Sequence, residues 1–188
     1  MPADLTSGSY FVEVRNEDDA GGIYPYSDLP FALVPTRDLA ILDDDLVLEN
    51  AEFHVDGGAQ APVFSSAGPV LQGERDVAFN VQPTNTGGWH ADLHFEERFD
   101  FLGYSALRFA LHPGDAIGQT LTLQLGGFDV RLVGRRANQR VHLNHDEWQI
   151  VEIPLDIFVR ERTVPKLGFS GNLRGTFYID DMRLVSET

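Results

Sequence analysis

The sequence predicts an all-β protein that folds as a β-sandwich. Short apolar runs recur about every 10 residues along the chain, and turns rich in glycine and proline separate them. Phenylalanine is frequent, and the runs alternate apolar with polar residues, as half-buried strands do. At 188 residues the chain is long enough to bury a sizeable core in one domain, with room for one appendage.

Charge and composition exclude several classes of partner. The formal net charge is −15, which argues against nucleic acids and anionic membranes. There is no cysteine, so disulfide bonds are excluded. No apolar run is long enough to span a bilayer, and we expect a soluble protein whose export the sequence leaves open.

Residues 1–39 differ from the rest of the chain. Tyr10, Val12 and Val14 alternate with polar residues and predict a strand that ends in an acidic, glycine-rich turn. A second short apolar run follows and ends at a proline. The pair resembles the last hairpin of a fibronectin type III domain. An isolated hairpin is marginally stable, so we expect it to pack on the main domain, residues 40–188, or to be the remnant of a preceding domain.

Period-two alternation predicts five strands in the main domain. Residues 50–70 predict only a weak strand and a long loop. Trp148 is in step with Ile150 and is expected to pack in the core. The apolar residues that the five strands direct to one face are Val77, Phe79 and Val81; Trp89, Ala91, Leu93 and Phe95; Leu107, Phe109 and Leu111; Leu121, Leu123 and Leu125; Val130 and Leu132.

The strand at 89–95 carries the polar pattern of most functional interest. His90, Asp92 and His94 share the face opposite its apolar residues. His90 and His94 lie about 13 Å apart along one strand, which is too far for both to bind one zinc ion. The face is therefore either a solvated surface or one whose imidazole and carboxylate groups hydrogen-bond sugar hydroxyls.

Polar side chains of the following strands extend this surface if those strands are its neighbours. Their donors suit the recognition of polyols or uronates. The basic stretch at 135–140 is either solvated or, if it borders the surface, favours an acidic sugar. The side chains that would join the surface in this way are Arg108, His112, Gln124 and Arg131.

Two acidic clusters predict a metal site. Asp43, Asp44 and Asp45 follow one short apolar run, and Asp180 and Asp181 interrupt the last one. Adjacent carboxylates in a buried strand need a compensating charge, and Ca²⁺ prefers carboxylate and carbonyl oxygens. Solvated strand ends are the alternative.

Six segments resemble, in the same order, the strands of the jelly-roll carbohydrate-binding modules that are attached to glycoside hydrolases. They are ILDDDL, VLQGERDVAFNV, GGWHADLHF, FDFLGYSALRFALHPG, DEWQIVEIPLDIF and TFYIDDMRLV, and they span about residues 40–188. The resemblance implies a galactose-binding-like β-sandwich with jelly-roll topology. It also implies a secreted, non-catalytic module that binds a polysaccharide or oligosaccharide beside a catalytic domain of the parent protein.

The resemblance further implies a structural Ca²⁺ near the first and last strands. Backbone carbonyl oxygens of the loop at 72–74 would complete its coordination. The ligands would come from that loop and both acidic clusters: Asp43, Asp44, Glu74, Asp180 and Asp181.

Modules of this kind also use exposed aromatic side chains as platforms for sugar rings. Both tryptophans of this chain, Trp89 and Trp148, are in phase with predicted core residues. The remaining candidates for exposed aromatic side chains lie in predicted loops: Tyr104, Phe128, Tyr24 and Tyr26.

The sequence leaves two other functions open. A β-sandwich polysaccharide lyase or hydrolase would use His90 or His94 to take a proton and Arg108 to neutralise a uronate. No Ser–His–Asp order and no carboxylate pair at diagnostic spacing supports it. A structural or docking module would have no affinity for glycans.

Overall fold

The computed structural model describes residues 9–10, 31–32, 37–48, 50–84, 88–101, 103–134, 140–158 and 163–186. Within these ranges the regular secondary structure is all strand apart from one short 3-10 helix at Leu155–Phe158, and no helix is long and apolar enough to cross a membrane. The strands are β1 (Ser9–Tyr10), β2 (Phe31–Ala32), β3 (Leu39–Leu42), β4 (Ala51–Asp56), β5 (Val63–Ser65), β6 (Asp76–Val81), β7 (Trp89–Asp100), β8 (Tyr104–His112), β9 (Leu121–Leu125), β10 (Phe128–Val133), β11 (Gln149–Pro154), β12 (Thr163–Gly171) and β13 (Gly175–Ser186).

The strands form two antiparallel sheets that pack face to face. One sheet has five strands in the order β10-β9-β12-β7-β4, and the other has six in the order β11-β8-β13-β6-β5, with β3 also paired to β13. The chain passes repeatedly from one sheet to the other, so β7 and β8 are consecutive in sequence but lie in different sheets. The predicted all-β sandwich is confirmed.

At the N-terminus, β1 and β2 form a separate antiparallel pair, with Ser9 opposite Ala32. The other residues of the hairpin predicted within 1–39 lie mostly outside the described residues, and its resemblance to a fibronectin type III hairpin stays a prediction.

Aromatic side chains from both sheets meet in the middle of the core. Phe169 of β12 contacts Phe79 of β6 and Phe109 of β8 edge-on, with ring centroids 5.5 and 5.8 Å apart. Phe79 in turn stacks on Phe177 of β13 at 5.0 Å. Trp89 is fully buried and donates its indole N–H to the Leu173 carbonyl oxygen at 3.0 Å. The five predicted strands and their inward faces are confirmed.

Two expectations from the sequence are wrong in detail. Residues 50–70 form two strands, β4 and β5, each at the edge of a sheet, and edge position explains their weak apolar pattern. Trp148 is half-buried and lies outside the core, edge-on to His112 at 5.4 Å. Val151 and Ile153 are the inward residues of β11, whereas Ile150 is 52% exposed, so Trp148 shares the outward phase.

We expect Phe177→Ala to destabilise the fold by about 3–5 kcal/mol, because Phe177 is 0% exposed and contacts rings of both sheets. Urea unfolding followed by circular dichroism measures this. The control is Ile150→Ala on the edge strand β11, which should cost under about 1 kcal/mol. Equal costs at the two positions would contradict the described core.

Candidate functional site

The outer face of the five-stranded sheet collects polar side chains from every one of its strands. Trp89 and Leu93 point into the core, so His90, Asp92 and His94 point outward from β7. Phe169 is buried in the same way, which turns Gly168 and Ser170 of β12 outward.

Backbone register aligns these residues in three rows across the sheet, and we call this surface the polar face. Every described residue in the rows is polar, charged or glycine. The first row is Glu52, His94 and Lys166; the second is His54, Asp92, Gly168, Gln124 and Asp129; the third is Asp56, His90, Ser170, Thr122 and Arg131.

Asp92 is the centre of the contacts on the polar face. Its Oδ2 accepts a hydrogen bond from the Lys166 ammonium at 2.6 Å, and His94 Nε2 lies 4.0 Å from the same oxygen. The rings of His94 and His54 lie over each other at 4.2 Å with a 31° tilt, and His54 Nε2 is 2.7 Å from the Glu52 carboxylate. The face therefore presents ordered, charged and hydrogen-bonding groups.

Two buried oxygen acceptors of the middle row have no hydrogen-bond partner. They are Oδ1 of Asp92 and Oε1 of Gln124, whose amide nitrogen donates instead to Asp129 at 3.1 Å. Gly168 separates the two residues in the register, and a Cβ added to it would collide with Asp92 Oδ1. An unsatisfied buried acceptor costs about 1–3 kcal/mol, which makes these two oxygens candidates for ligand contact.

The structure brings five predicted ligand-binding residues together on the polar face: His90, Asp92, His94, Gln124 and Arg131. Their binding of a ligand stays a prediction. The sequence analysis missed the contribution of the edge strand β4, although Glu52, His54 and Asp56 alternate there around Phe53 and Val55. It also missed Lys166, Gly168 and Ser170, because nothing local indicated that β12 lies beside β7.

The prediction that Arg108, His112 and Tyr104 share this surface is wrong. All three lie on β8, which pairs with β11 and β13 in the other sheet. Arg108 is exposed there opposite Glu152 and Arg183. His112 is only 7% exposed, and its Nδ1 accepts a hydrogen bond from the Gly114 N–H.

The predicted aromatic platforms are also not found on the polar face among the described residues. Tyr104 is buried in the core, as the first residue of a strand and not as part of a loop. Phe128 packs partly against the core. Tyr24, Tyr26 and most of the basic stretch 135–140 lie outside the described residues.

The acidic clusters meet at the loop formed by residues 68–75, on the outer side of the six-stranded sheet. Asp44 Oδ1 accepts hydrogen bonds from the backbone N–H groups of Glu74 and Arg75 at 2.6 and 2.8 Å. The N–H of Arg75, then that of Glu74, lower the pKa of Asp44. Gly73 has a φ of 72°, and a Cβ there would collide with the Asp44 carboxylate.

Asp180 and Asp76 lie side by side beneath the same loop. Asp180 Oδ2 accepts hydrogen bonds from the N–H groups of Leu71 and Gln72 at 3.0 and 3.2 Å. The register that pairs Ile179 with Val77 places Asp76 next to Asp180. Asp76 is 0% exposed and neither of its carboxylate oxygens has a partner.

Burial and the repulsion between these carboxylates shift their protonation. Burial, and then the charge of Asp180, raise the pKa of Asp76 to about 6. Burial also raises the pKa of Asp180, and the charges of Asp43 and Asp44 act in the same direction. The clusters predicted to approach each other therefore do so.

The predicted set of metal ligands needs correction. Asp181 has a φ of 50° at a bulge in β13 and pairs with Arg183, so its carboxylate is already neutralised. The loop donates backbone N–H groups to Asp44 and Asp180, and the binding of a metal by its carbonyl oxygens stays a prediction. Among the described residues no group of three or more His, Asp or Glu is arranged to hold a metal ion. Nothing in the sequence singled out Asp76, a buried carboxylate that accepts no hydrogen bond from another described residue.

Several solved structures have the same fold. The chain is similar to a family 11 carbohydrate-binding module from Clostridium thermocellum in complex with a β-1,3-1,4-mixed-linked tetrasaccharide, with 14% identity and a TM-score of 0.53 over 82% of this chain and 98% of that chain. It is also similar to a variant of a family 29 carbohydrate-binding module complexed with cellulohexaose, with 12% identity and a TM-score of 0.50 over 80% and 92% of the two chains.

A third similar structure is the exo-1,3/1,4-β-glucanase from a Pseudoalteromonas species, with 13% identity and a TM-score of 0.58. The match covers 91% of this chain but 23% of the glucanase. No protein-family model and no curated protein matches the chain. At these identities the similarities show a shared fold, and they confirm the jelly-roll β-sandwich.

We expect Lys166→Met to destabilise the protein by about 1–3 kcal/mol, because it leaves the buried Asp92 carboxylate without its cation. Chemical denaturation of the two proteins measures the difference. Glu52→Gln is the matched control, since its partner His54 is exposed and surface pairs contribute little. A Lys166→Met protein as stable as the wild type would show that the Asp92 contact contributes nothing.

Proposed function

We propose that the protein is a non-catalytic carbohydrate-binding module that holds a polysaccharide on the polar face and brings an appended polysaccharide-degrading enzyme to it. The observation that carries the proposal is the alignment of hydrogen-bonding side chains in rows across all strands of one sheet. The shared fold with modules that were solved with oligosaccharides supports it.

The dimensions and chemistry of the polar face suit an extended, hydroxyl-rich ligand. Five strands at their usual spacing span about 19 Å, which is much longer than a single small molecule. Carboxylate and amide oxygens accept hydrogen bonds from sugar hydroxyls, and imidazole, ammonium and guanidinium groups donate to them. Arg131, exposed at the end of the third row, offers a bidentate donor.

The enzyme alternative receives less support from the geometry. A lyase was expected to combine His90 or His94 with Arg108, but Arg108 lies in the other sheet. A base and a uronate-binding cation on opposite sides of a sandwich cannot act on one sugar. This separation favours binding without catalysis.

The proposed setting of the module is a secreted, longer polypeptide. The glucanase with the same fold is a chain of which this β-sandwich corresponds to only a part. A module that binds a polysaccharide contributes to catalysis by keeping a neighbouring catalytic domain near its substrate, which raises the effective concentration of that substrate. The catalytic domain is therefore the proposed protein partner, and export follows from the extracellular location of such polymers.

A structural Ca²⁺ belongs to the same proposal, with Asp76 and Asp180 as its carboxylate ligands. The fully buried Asp76 carboxylate has no hydrogen bond, and a hard cation supplies the charge that such a group needs. Bound there, Ca²⁺ would neutralise both carboxylates beneath the 68–75 loop and tie that loop to the sheet. Asp43, whose charge helps to raise the pKa of Asp180, is a third acidic side chain near the proposed site.

Glycan binding is tested by native gel electrophoresis in gels that contain mixed-linked β-glucan or hydroxyethylcellulose. We expect the polymer to retard the wild-type protein, and Arg131→Ala combined with His90→Ala to weaken binding about tenfold or more. Arg108→Ala is the matched control, because it removes an exposed arginine from the other sheet. Loss of binding in Arg108→Ala but not in the double variant would contradict the assignment of the face.

The calcium proposal predicts a pH-dependent effect of the metal. Asp76 has a pKa of about 6 in the folded protein against 3.8 in the unfolded chain, so without metal its ionisation lowers the free energy of unfolding as pH rises from about 4 through 6. The loss reaches up to about 3 kcal/mol above pH 6. Ca²⁺ should therefore raise the melting temperature strongly at pH 7.5 and weakly at pH 5, where protons compete with it.

Two asparagine variants distinguish the proposed ligands from the predicted ones. Asp76→Asn should melt at or above the wild-type temperature in EDTA at pH 7.5 and should lose the response to Ca²⁺. Asp181→Asn should keep that response, because Arg183 already holds the Asp181 carboxylate. A calcium response that survives Asp76→Asn would remove Asp76 from the site.

A further inference from the structure

The middle row of the polar face has an acceptor on each side of a glycine. Gly168 pairs with Asp92 on β7 and with Gln124 on β9, and we call these three residues the acceptor notch. Asp92 Oδ1 and Gln124 Oε1 are both buried without a hydrogen-bond partner. A ligand group that donates hydrogen bonds satisfies them, whereas a group that only accepts does not.

The charges of the polar face, like its unpartnered acceptors, favour a hydrogen-bond donor over an anion. The polar face carries four carboxylates, on Glu52, Asp56, Asp92 and Asp129, against the two cations Lys166 and Arg131. The Lys166 ammonium, 2.6 Å from Asp92 Oδ2, shows which charge the notch accepts. Lys166 offsets the charge of Asp92, but a carboxylate or sulfate has no proton to donate to the unpartnered Oδ1, and the excess of carboxylates over cations on the whole face repels it.

We propose that the acceptor notch selects a sugar unit that presents hydrogen-bond donors, a hydroxyl or an ammonium group, and rejects acidic sugars. The proposal rests on the function proposed above. It reverses the preference for a uronate that the basic stretch at 135–140 suggested. Because both oxygens are buried, binding requires long side chains at the rim to rotate away, and the Lys166 side chain, which is 32% exposed, is one that has room to do so.

Gly168 is the residue that makes the notch possible. Its missing side chain lets the Asp92 carboxylate lie over β12, and a methyl group there would meet Asp92 Oδ1 and the Ala91 carbonyl oxygen. Gly168→Ala should therefore displace Asp92 and weaken glycan binding. Gly127→Ala is the matched control, since a Cβ at Gly127, in the turn between β9 and β10, has nothing within 4 Å.

The experiment compares polymers that share a backbone and differ in charge. Binding to hydroxyethylcellulose and carboxymethylcellulose, and to mixed-linked β-glucan and its carboxymethyl derivative, is measured by gel retardation. The salt concentration is high enough to screen the net charge of the protein. Glycol chitosan carries ammonium groups, so its binding shows whether the notch prefers an amino sugar to a neutral one. We expect the carboxymethyl polymers to bind at least about tenfold more weakly than their neutral partners, and glycol chitosan to bind no more weakly than hydroxyethylcellulose.

Variants then test whether the acceptor notch causes the weaker binding of the carboxymethyl polymers. Asp92→Asn should reduce the difference between neutral and carboxymethyl polymers to less than about threefold. Glu52→Gln removes the same charge from the same face outside the notch and should reduce the difference much less than Asp92→Asn does. Thermal melts of all variants verify that each is folded.

Each outcome decides between the proposals. Equal binding of neutral and carboxymethyl polymers by the wild type overturns the acceptor notch but leaves the glycan-binding function intact. The same loss of discrimination in Glu52→Gln as in Asp92→Asn also overturns it, because the effect would then come from the overall charge of the face. Failure to bind any of the polymers overturns both proposals.

Discussion

The contact of Phe169 with Phe79 and Phe109 in the middle of the sandwich is the interaction on which the rest of the structure depends. It joins β12 of one sheet to β6 and β8 of the other. Because side chains alternate along a strand, the burial of Phe169 also decides that Gly168 and Ser170 face outward. The same constraint at Trp89 turns His90 and Asp92 to the outside. The polar face is thus a consequence of how the core is packed.

In the six-stranded sheet, the alternation of side chains along the strands places two carboxylates under a loop. Asp76 and Asp180 are outward-facing residues of β6 and β13, yet the 68–75 loop covers them and leaves both fully buried. Backbone N–H groups of the loop hydrogen-bond Asp180, whereas none of them reaches Asp76. A protein that keeps an unpartnered carboxylate loses stability by doing so. The proposed cation binding would offset this loss of stability.

The sequence predicted the features that depend on local alternation, but it did not predict which distant strands are neighbours in the sheets. Alternation within 89–95 identified both the core residues and the outward set His90, Asp92 and His94, because the period-two rule needs no neighbour. Arg108 and His112 were placed on the wrong surface, since strand order across two sheets is not encoded in spacing. Lys166 and His54 were missed for the same reason, and so was Asp76, whose significance appears only beside Asp180.

A titration of the ¹⁵N-labelled protein with cellohexaose, followed by NMR, tests most directly whether the polar face binds glycan. We expect shift changes concentrated at the backbone amides of β7, β9 and β12, around Asp92 and Gly168. Shift changes centred on β8, β11 and β13, around Arg108 and Trp148, would contradict this expectation, because the ligand would then bind the other sheet.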